Sequence, residues 1–299
     1  MAFRAIFIEN PARISVRNNQ LMIRTDTERS VSLEDITAVM LESRQCTITT
    51  AALSLLGQQG CCVYLCDEKH LPCAVLTPYH QHSREPVVLQ NQLEAGSPLK
   101  KRLWQSVVRE KIRNQAKCLK LTDNQNAADR LLSMIPRVQS GDPGNLESSA
   151  AQIYFPALFY PSFSRSSDSG YNAGLNSGYA ILRGYVARTL AAYGFLPALG
   201  IHHHSTLNAF NLADDLMEPF RPLIDLLVIR TLEEDGDLSP TDKHSLFNCL
   251  NLDVLSGGQH HSTAYAIERM VQSLGQSLSS KKASLVLPQL VDLNQHRYE

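Results

Sequence analysis

The sequence has no long apolar run, no paired cysteine motif and no surplus of positive charge. No window approaches the roughly 18 consecutive apolar residues that a membrane span needs. The segment Met1 to Asn10 carries no basic stretch followed by an apolar core, so a soluble, cytoplasmic protein is expected. The seven cysteines, at positions 46, 61, 62, 66, 73, 118 and 249, show no CxxC spacing and come with no secretion signal, so reduced thiols are expected. Four of them lie between 61 and 73, near His70, His80 and His82. Zinc knuckles present ligands in regular short pairs, however, and small buried residues in strands are the better reading. A formal net charge of −1 argues against a protein that coats nucleic acid through overall positive charge. Any such binding must come from local patches. There is no internal repeat, and the Ser-rich stretch from Ser162 to Ser177 reads as a loop.

A length of 299 residues with 43% hydrophobic content suits a globular chain of two domains. Ala12, Ile14 and Val16 alternate with Arg13, Ser15 and Arg17, and Leu21 and Ile23 resume the alternation after Asn18 and Asn19. This pattern predicts a β-hairpin with one buried face. Val31 to Leu41 continues the pattern, Thr49 is placed to cap a helix over Ala51 to Leu56, and Cys61 to Cys66 suits a buried strand. Residues 1–80 are therefore expected to form a β-rich domain, and the polar segment 81–98 a linker. From residue 99 the period becomes helical, over Leu99 to Leu119, Ala127 to Val138, Leu146 to Phe159, Leu175 to Tyr193, Leu207 to Leu232 and Ala264 to Leu278. The expected class is α+β, with a mostly α-helical domain over 99–299.

Gly200 to Asp225, GIHHHSTLNAFNLADDLMEPFRPLID, sets His202, His203 and His204 ahead of a helix bearing Asp214, Asp215 and Glu218. Residues three or four apart share a helical face, so Glu218 can join Asp215 or Asp214. Pro219 and Pro222 should interrupt the helix there and leave backbone carbonyls free beside the acids. Imidazole with carboxylates suits Mn2+ or Mg2+, the usual partners of phosphates. The plain alternative is a solvated acidic face beside a surface loop. Upstream, DPGNLESSAA over Asp142 to Ala151 reads as a turn into a helix, with Asn145 as cap and Glu147 in the first turn, where the helix dipole favours a carboxylate. Eight of the 28 basic residues, Lys100, Lys101, Arg102, Arg109, Lys111, Arg113, Lys117 and Lys120, crowd one predicted helix against the single acid Glu110. That is a candidate phosphate-binding strip, or simply the polar face of an amphipathic helix.

These motifs, in this order, resemble the CRISPR-associated integrases that insert new spacers into CRISPR arrays. The resemblance runs through VSLEDITAVM from Val31, CDEKHLPCAVLTPY from Cys66, REPVVLQNQ from Arg84, LWQSVVREKIRNQA from Leu103, NLESSAAQIYF from Asn145 and LNSGYAILRGYVAR from Leu175. It is most specific in PALGIHHHS and DLMEPFRPLID, and it is closest to the branch whose effector is a single RNA-guided nuclease. It implies a β-sandwich-like N-terminal domain that serves dimerisation and a helical catalytic domain with metal ligands Glu147, His203 and Glu218. The resemblance selects His203, because the family's spacing from histidine to acid is about fifteen residues, although His202 and His204 flank it. Asp215 takes the family's second acidic position, as a ligand directly or through water. The resemblance further implies Mg2+ or Mn2+, duplex DNA as prespacer and repeat, a homodimer, a small ferredoxin-like partner and contact with the effector nuclease. Rival readings are a zinc hydrolase using the His triplet with Glu218 and Asp215, and a non-catalytic DNA-binding scaffold.

Overall fold

The computed structural model describes residues 4–68, 72–76, 85–234 and 236–297. Strands β1 (Arg4–Ile8), β2 (Arg13–Arg17), β3 (Gln20–Arg24), β4 (Glu28–Ser32), β5 (Ile36–Leu41) and β6 (Thr47–Ile48) precede helix α1 (Thr50–Gln58), and strands β7 (Cys62–Cys66) and β8 (Pro72–Leu76) follow it. They make two sheets, one ordered β4-β3-β2-β6 and the other β1-β5-β7-β8. The predicted hairpin is β2–β3, with Ile14 opposite Ile23 and Val16 opposite Leu21. Asn18 and Asn19 take φ of 49° and 58°, the left-handed pair that a two-residue hairpin turn requires. Thr49 caps α1 as expected, its hydroxyl accepting from the Ala52 amide at 3.2 Å.

Strand β5 is buried along its whole length, so both of its faces must be covered. On one side Val39 and Leu41, with Val63 of β7, meet Ile14 and Leu21 of the opposing sheet and Leu56 of α1. On the other side Ala38, Met40, Cys62 and Tyr64 belong to the same apolar core as the helices. The Tyr64 hydroxyl donates to the Ile181 carbonyl at 2.7 Å. Gly184 makes that approach feasible, because a Cβ there would stand 2.4 Å from the Tyr64 ring. The β-rich part is thus a sandwich whose outer face is the floor for helices.

Those helices are α2 (Glu85–Glu94), α3 (Ser97–Leu121), α4 (Gln125–Met134), α5 (Leu146–Leu158), α6 (Gly170–Ala192), α7 (Asn211–Met217), α8 (Arg221–Thr231), α9 (Pro240–Phe247) and α10 (Thr263–Ser280). Helix α2 replaces much of the expected linker. Its Pro86 stands in the first turn, where a missing N–H costs no helical bond, so that proline marks a start rather than a loop. Gln92 then ties the helix down, its amide donating to the Leu196 and Leu199 carbonyls at 3.0 Å each. Residues 81–84 lie outside the described residues, as do His70, His80 and His82. The Ser-rich loop is shorter than expected, because α6 begins at Gly170 with Ser169 as its cap.

A small sheet, β9 (Leu252–Ser256), β10 (Gln259–Ser262) and β11 (Pro288–Gln295), ordered β10-β9-β11, interrupts the otherwise helical second half. The architecture is α+β, strands first and helices after. No helix among the described residues is long and apolar enough to cross a membrane. Burial lifts the Cys61 thiol to about 11 and those of Cys62 and Cys66 to about 12. They stay protonated at neutral pH.

Candidate active site

The core of the site is α3. Residues seven apart share a helical face, and Trp104 and Lys111 both point inward from it, each nearly fully buried. One turn beyond Lys111, the Asn114 amide donates to the carbonyls of Pro219 and Pro288 at 2.8 and 2.9 Å. Its own oxygen accepts from the Leu290 amide at 2.9 Å. Helix α3 therefore fixes the α7–α8 junction and β11 at once.

That junction is a short 3-10 turn over Glu218–Phe220, the interruption expected from Pro219 and Pro222. The expectation of free carbonyls is corrected at Pro219, whose carbonyl is the one Asn114 binds. Glu218 is left pointing into the interior, its side chain only 6% exposed.

Glu147 sits where expected, in the first turn of α5. Asn145 is not the side-chain cap: it adopts φ 47° and makes no capping bond. Asp142 caps instead, its carboxylate accepting from the Leu146 and Glu147 amides at 3.0 Å each. The turn before α5 is pinned to α3, because the Gly141 amide donates to the Lys101 carbonyl at 2.9 Å. Glu147 is thereby placed across from Lys111.

The Lys111 ammonium bridges the two glutamates, with Nζ 2.6 Å from Glu147 Oε1 and 2.5 Å from Glu218 Oε2. On its other oxygen Glu218 meets Arg221 Nε at 2.8 Å. Burial works to raise the Glu218 pKa, but Arg221, Lys111 and His203 outweigh it and hold the carboxyl below its usual range. Burial likewise opposes the charge of Lys111, and Glu218 and then Glu147 restore it. The Arg221 guanidinium lies over the Tyr179 ring at 4.4 Å. Tyr179 and Tyr154 both donate their hydroxyls to the buried Asp225, the latter at 2.8 Å. Asp225 thus joins α5, which carries Glu147, to α8, which follows Glu218.

The three histidines do not converge on one point. His202 stacks on Trp104 with ring centroids 4.1 Å apart and planes at 2°. His203 turns its ring 84° from that of His202 and sets Nδ1 2.7 Å from Asp215 Oδ1. His204 is exposed. Burial lowers the His202 pKa, whereas the hydrogen bond to Asp215 raises that of His203. Asp215 is wholly buried and also accepts from the backbone amides of Ile201, His202 and His203 at 2.7, 3.0 and 3.1 Å. A carboxylate offers about four acceptor directions, and all are taken. In this arrangement Asp215 shapes the histidine loop. Gly200 is required beside it, since a Cβ there would stand 2.3 Å from the His203 carbonyl oxygen.

The basic strip divides. At about 100° per residue, Lys111 and Arg113 project roughly 160° apart. Lys101, Arg102, Arg113, Lys117 and Lys120 are exposed on the outer side, and Lys100 is half-buried. Arg109 donates to the Val138 carbonyl at 2.8 Å and Arg113 pairs with Glu110. Lys111 does not belong to that outer surface.

Sequence reasoning misses Trp104, Asp142, Arg221 and Asp225. The first is the chain's single tryptophan, a signal the sequence does carry. Asp225 and the Arg221–Tyr179 contact depend on residues distant in sequence, whereas Asp142 and the Arg221–Glu218 pair are local.

Two carboxylates facing one cation, with an imidazole close enough to feel both, form a donor set of the right chemistry for a hard divalent ion. Glu218 Oε2 is buried and lacks an aligned hydrogen-bond donor, its contact with Lys111 being one of charge. The residues fit such an ion, although among the described residues no three His, Cys, Asp or Glu side chains already form a closed ligand cluster.

Known proteins share this organisation. Residues 6–244 match the family model described as CRISPR associated protein Cas1. The chain is 44% identical to the CRISPR-associated endonuclease Cas1 of Neisseria meningitidis serogroup C (strain 8013), over 100% of both chains. Among solved structures, a casposase bound to integration product superposes with a TM-score of 0.76 at 20% identity, over 96% of this chain and 93% of that one. A Cas6-RT-Cas1–Cas2 complex gives a TM-score of 0.71 at 19% identity, over 96% of this chain and 36% of the other. The full-length identity and the family match together show that this chain belongs to the CRISPR-associated Cas1 family.

Proposed function

We propose that this protein is the metal-dependent DNA strand transferase and endonuclease of CRISPR adaptation, joining the 3′-hydroxyl ends of a short duplex to a phosphodiester at the repeat boundary. The observation that carries the reading is the convergence of Glu147 and Glu218 on a single cation, 2.6 and 2.5 Å away. Full-length similarity to a relative named as an endonuclease supports it.

Glu147, Glu218 and His203 are the residues that would hold Mg2+ or Mn2+, which when bound neutralises the scissile phosphate and stabilises the leaving oxygen. In the neutral ring of His203, donation from Nδ1 to Asp215 leaves Nε2 as the atom with a free lone pair for a metal. Arg221 holds Glu218 in its ionised form and Asp142 orders the turn that presents Glu147. In the reaction the attacking 3′-oxygen forms a new P–O bond as the repeat's 3′-oxygen leaves and takes up a proton. The number of phosphodiesters is unchanged, so the step is close to thermoneutral and reversible. With water as nucleophile the same site cleaves DNA. No covalent enzyme intermediate is needed.

In this reading the protein acts in the cytoplasm as a homodimer joined through its β-rich part, with prespacer and repeat DNA as substrates. A small ferredoxin-like protein completes the complex, and the effector nuclease meets it. The likeness to a chain from a Cas1–Cas2 complex is consistent with such a partner. The test is integration of a labelled short duplex into a supercoiled plasmid carrying the repeat, with Mn2+ and the partner present. Glu147→Ala and Glu218→Ala should each abolish the joined product. Undiminished product in either would overturn the assignment.

A further inference from the structure

Lys111, expected on a DNA-binding surface, instead lies inside the site, its side chain 10% exposed. We propose that Lys111 is a resident counter-cation that occupies the space between Glu147 and Glu218 and has to leave it for a divalent metal to enter. The inference rests on the metal-site reading given above.

The charges are already balanced without a metal. Glu147 and Glu218 supply two negative charges, and Lys111 and Arg221 two positive ones, each within 2.8 Å of a carboxylate oxygen. A divalent ion added to that set would leave two uncompensated charges in a space that water barely reaches, and buried net charge is costly. Arg221 is held in place, stacked over Tyr179 and paired by charge with the other oxygen of Glu218. Lys111 differs from it. Its ammonium is a compact charge on a flexible stem, so it is the cation that can be exchanged.

The exchange also links metal to substrate. With Lys111 withdrawn and a divalent ion in its place, the site has one positive charge over, which the phosphodiester of bound DNA cancels. The withdrawn ammonium finds its next partner in the same DNA backbone. Metal and DNA should therefore favour each other's binding, and by linkage the effect is reciprocal.

Equilibrium Mn2+ binding, read by electron paramagnetic resonance of the free ion, tests this without relying on activity. In the absence of DNA, Lys111→Met should bind Mn2+ at least about tenfold more tightly than the wild type, because a competing occupied state is removed. Lys111→Gln, which retains an amide donor for one carboxylate, should shift in the same direction and serves if the methionine variant does not fold. A branched DNA duplex should tighten Mn2+ binding to the wild type more than to either variant. Affinities equal to or weaker than the wild type in both lysine variants, or the same gain from DNA in all three proteins, would overturn the role of Lys111. Glu147→Gln separates the two readings: if it leaves Mn2+ binding intact, or if no form of the protein binds Mn2+, the metal site itself is wrong.

Discussion

His203 and Asp215 are joined through Nδ1 and Oδ1 at 2.7 Å, and the same carboxylate gathers the backbone amides of residues 201, 202 and 203. One buried acid thus sets both the path of the histidine loop and the tautomer of the ring that faces Glu147 and Glu218. Asp215→Asn should lower strand transfer by about 10–100-fold, the usual effect of losing a carboxylate behind a ligating histidine. It should also lower the melting temperature, because an amide NH2 would now face backbone N–H donors. Strand-transfer rates and thermal melts of the two proteins check both effects, and unchanged rates would remove Asp215 from the site.

Among the histidines, His203→Ala should be the most damaging in the integration assay, with lesser losses at His202 and His204. Equal losses at all three would mean that the loop acts as a unit.

Trp104 offers an optical reading of this loop. It is the only tryptophan, and His202 lies flat on it at 4.1 Å. A protonated imidazole quenches indole emission. Burial disfavours the charged form of His202, so as pH falls the quenching should have a midpoint below the ordinary 6.5. His202→Ala should remove this component and leave any quenching by His203, whose ring lies 5.7 Å from Trp104 and whose pKa is raised. A midpoint above 6.5 for the component lost in His202→Ala would contradict the burial argument.

Asp225 predicts a second pH dependence, this time of stability. Burial pushes its carboxyl up to about 6 from an ordinary 3.8. Between those values the folded state holds a proton that the unfolded chain has released, so this group costs stability as pH rises through the window. The cost is on the order of 3 kcal/mol once complete. Asp225→Asn should therefore gain relative to the wild type as pH rises from about 4 to about 6. Thermal melts across that range measure the difference, and a constant offset would contradict it.

Much of this architecture is legible in the sequence, because periodicity and turn chemistry act locally. The Asn18-Asn19 hairpin, the Thr49 cap and the break at Pro219 all follow from nearest neighbours. Motifs mark Glu147, His203 and Glu218, and the structure brings the two glutamates to one ammonium. Part of what escapes the sequence depends on contacts between distant residues, and part on local ambiguity. A lysine in a basic helix reads as solvated, and only the rotation of α3 against α5 and the α7–α8 junction turns Lys111 inward. Asn145 resembles a cap as well as Asp142 does, and the choice between them is made by left-handed backbone at residues 141, 142 and 145. Helix α2 is hidden because its proline reads as a loop residue.

The outer face of α3 should contribute to DNA affinity and not to chemistry. Replacing Arg102, Arg113 and Lys117 with Ala should weaken duplex binding and reduce the salt slope by up to about 0.9 for each phosphate that the protein no longer neutralises. Metal binding should be unaffected. An unchanged slope in a salt titration would place the DNA on another face.

The most direct test of the whole account compares DNA binding with strand transfer in Glu147→Gln and Glu218→Gln. Both substitutions keep side-chain shape and remove one negative charge from the pair around Lys111. The account predicts that each variant binds branched duplex at least as well as the wild type and forms no joined product. Joined product at wild-type rates from either variant would show that these carboxylates are structural and that the chemistry lies elsewhere.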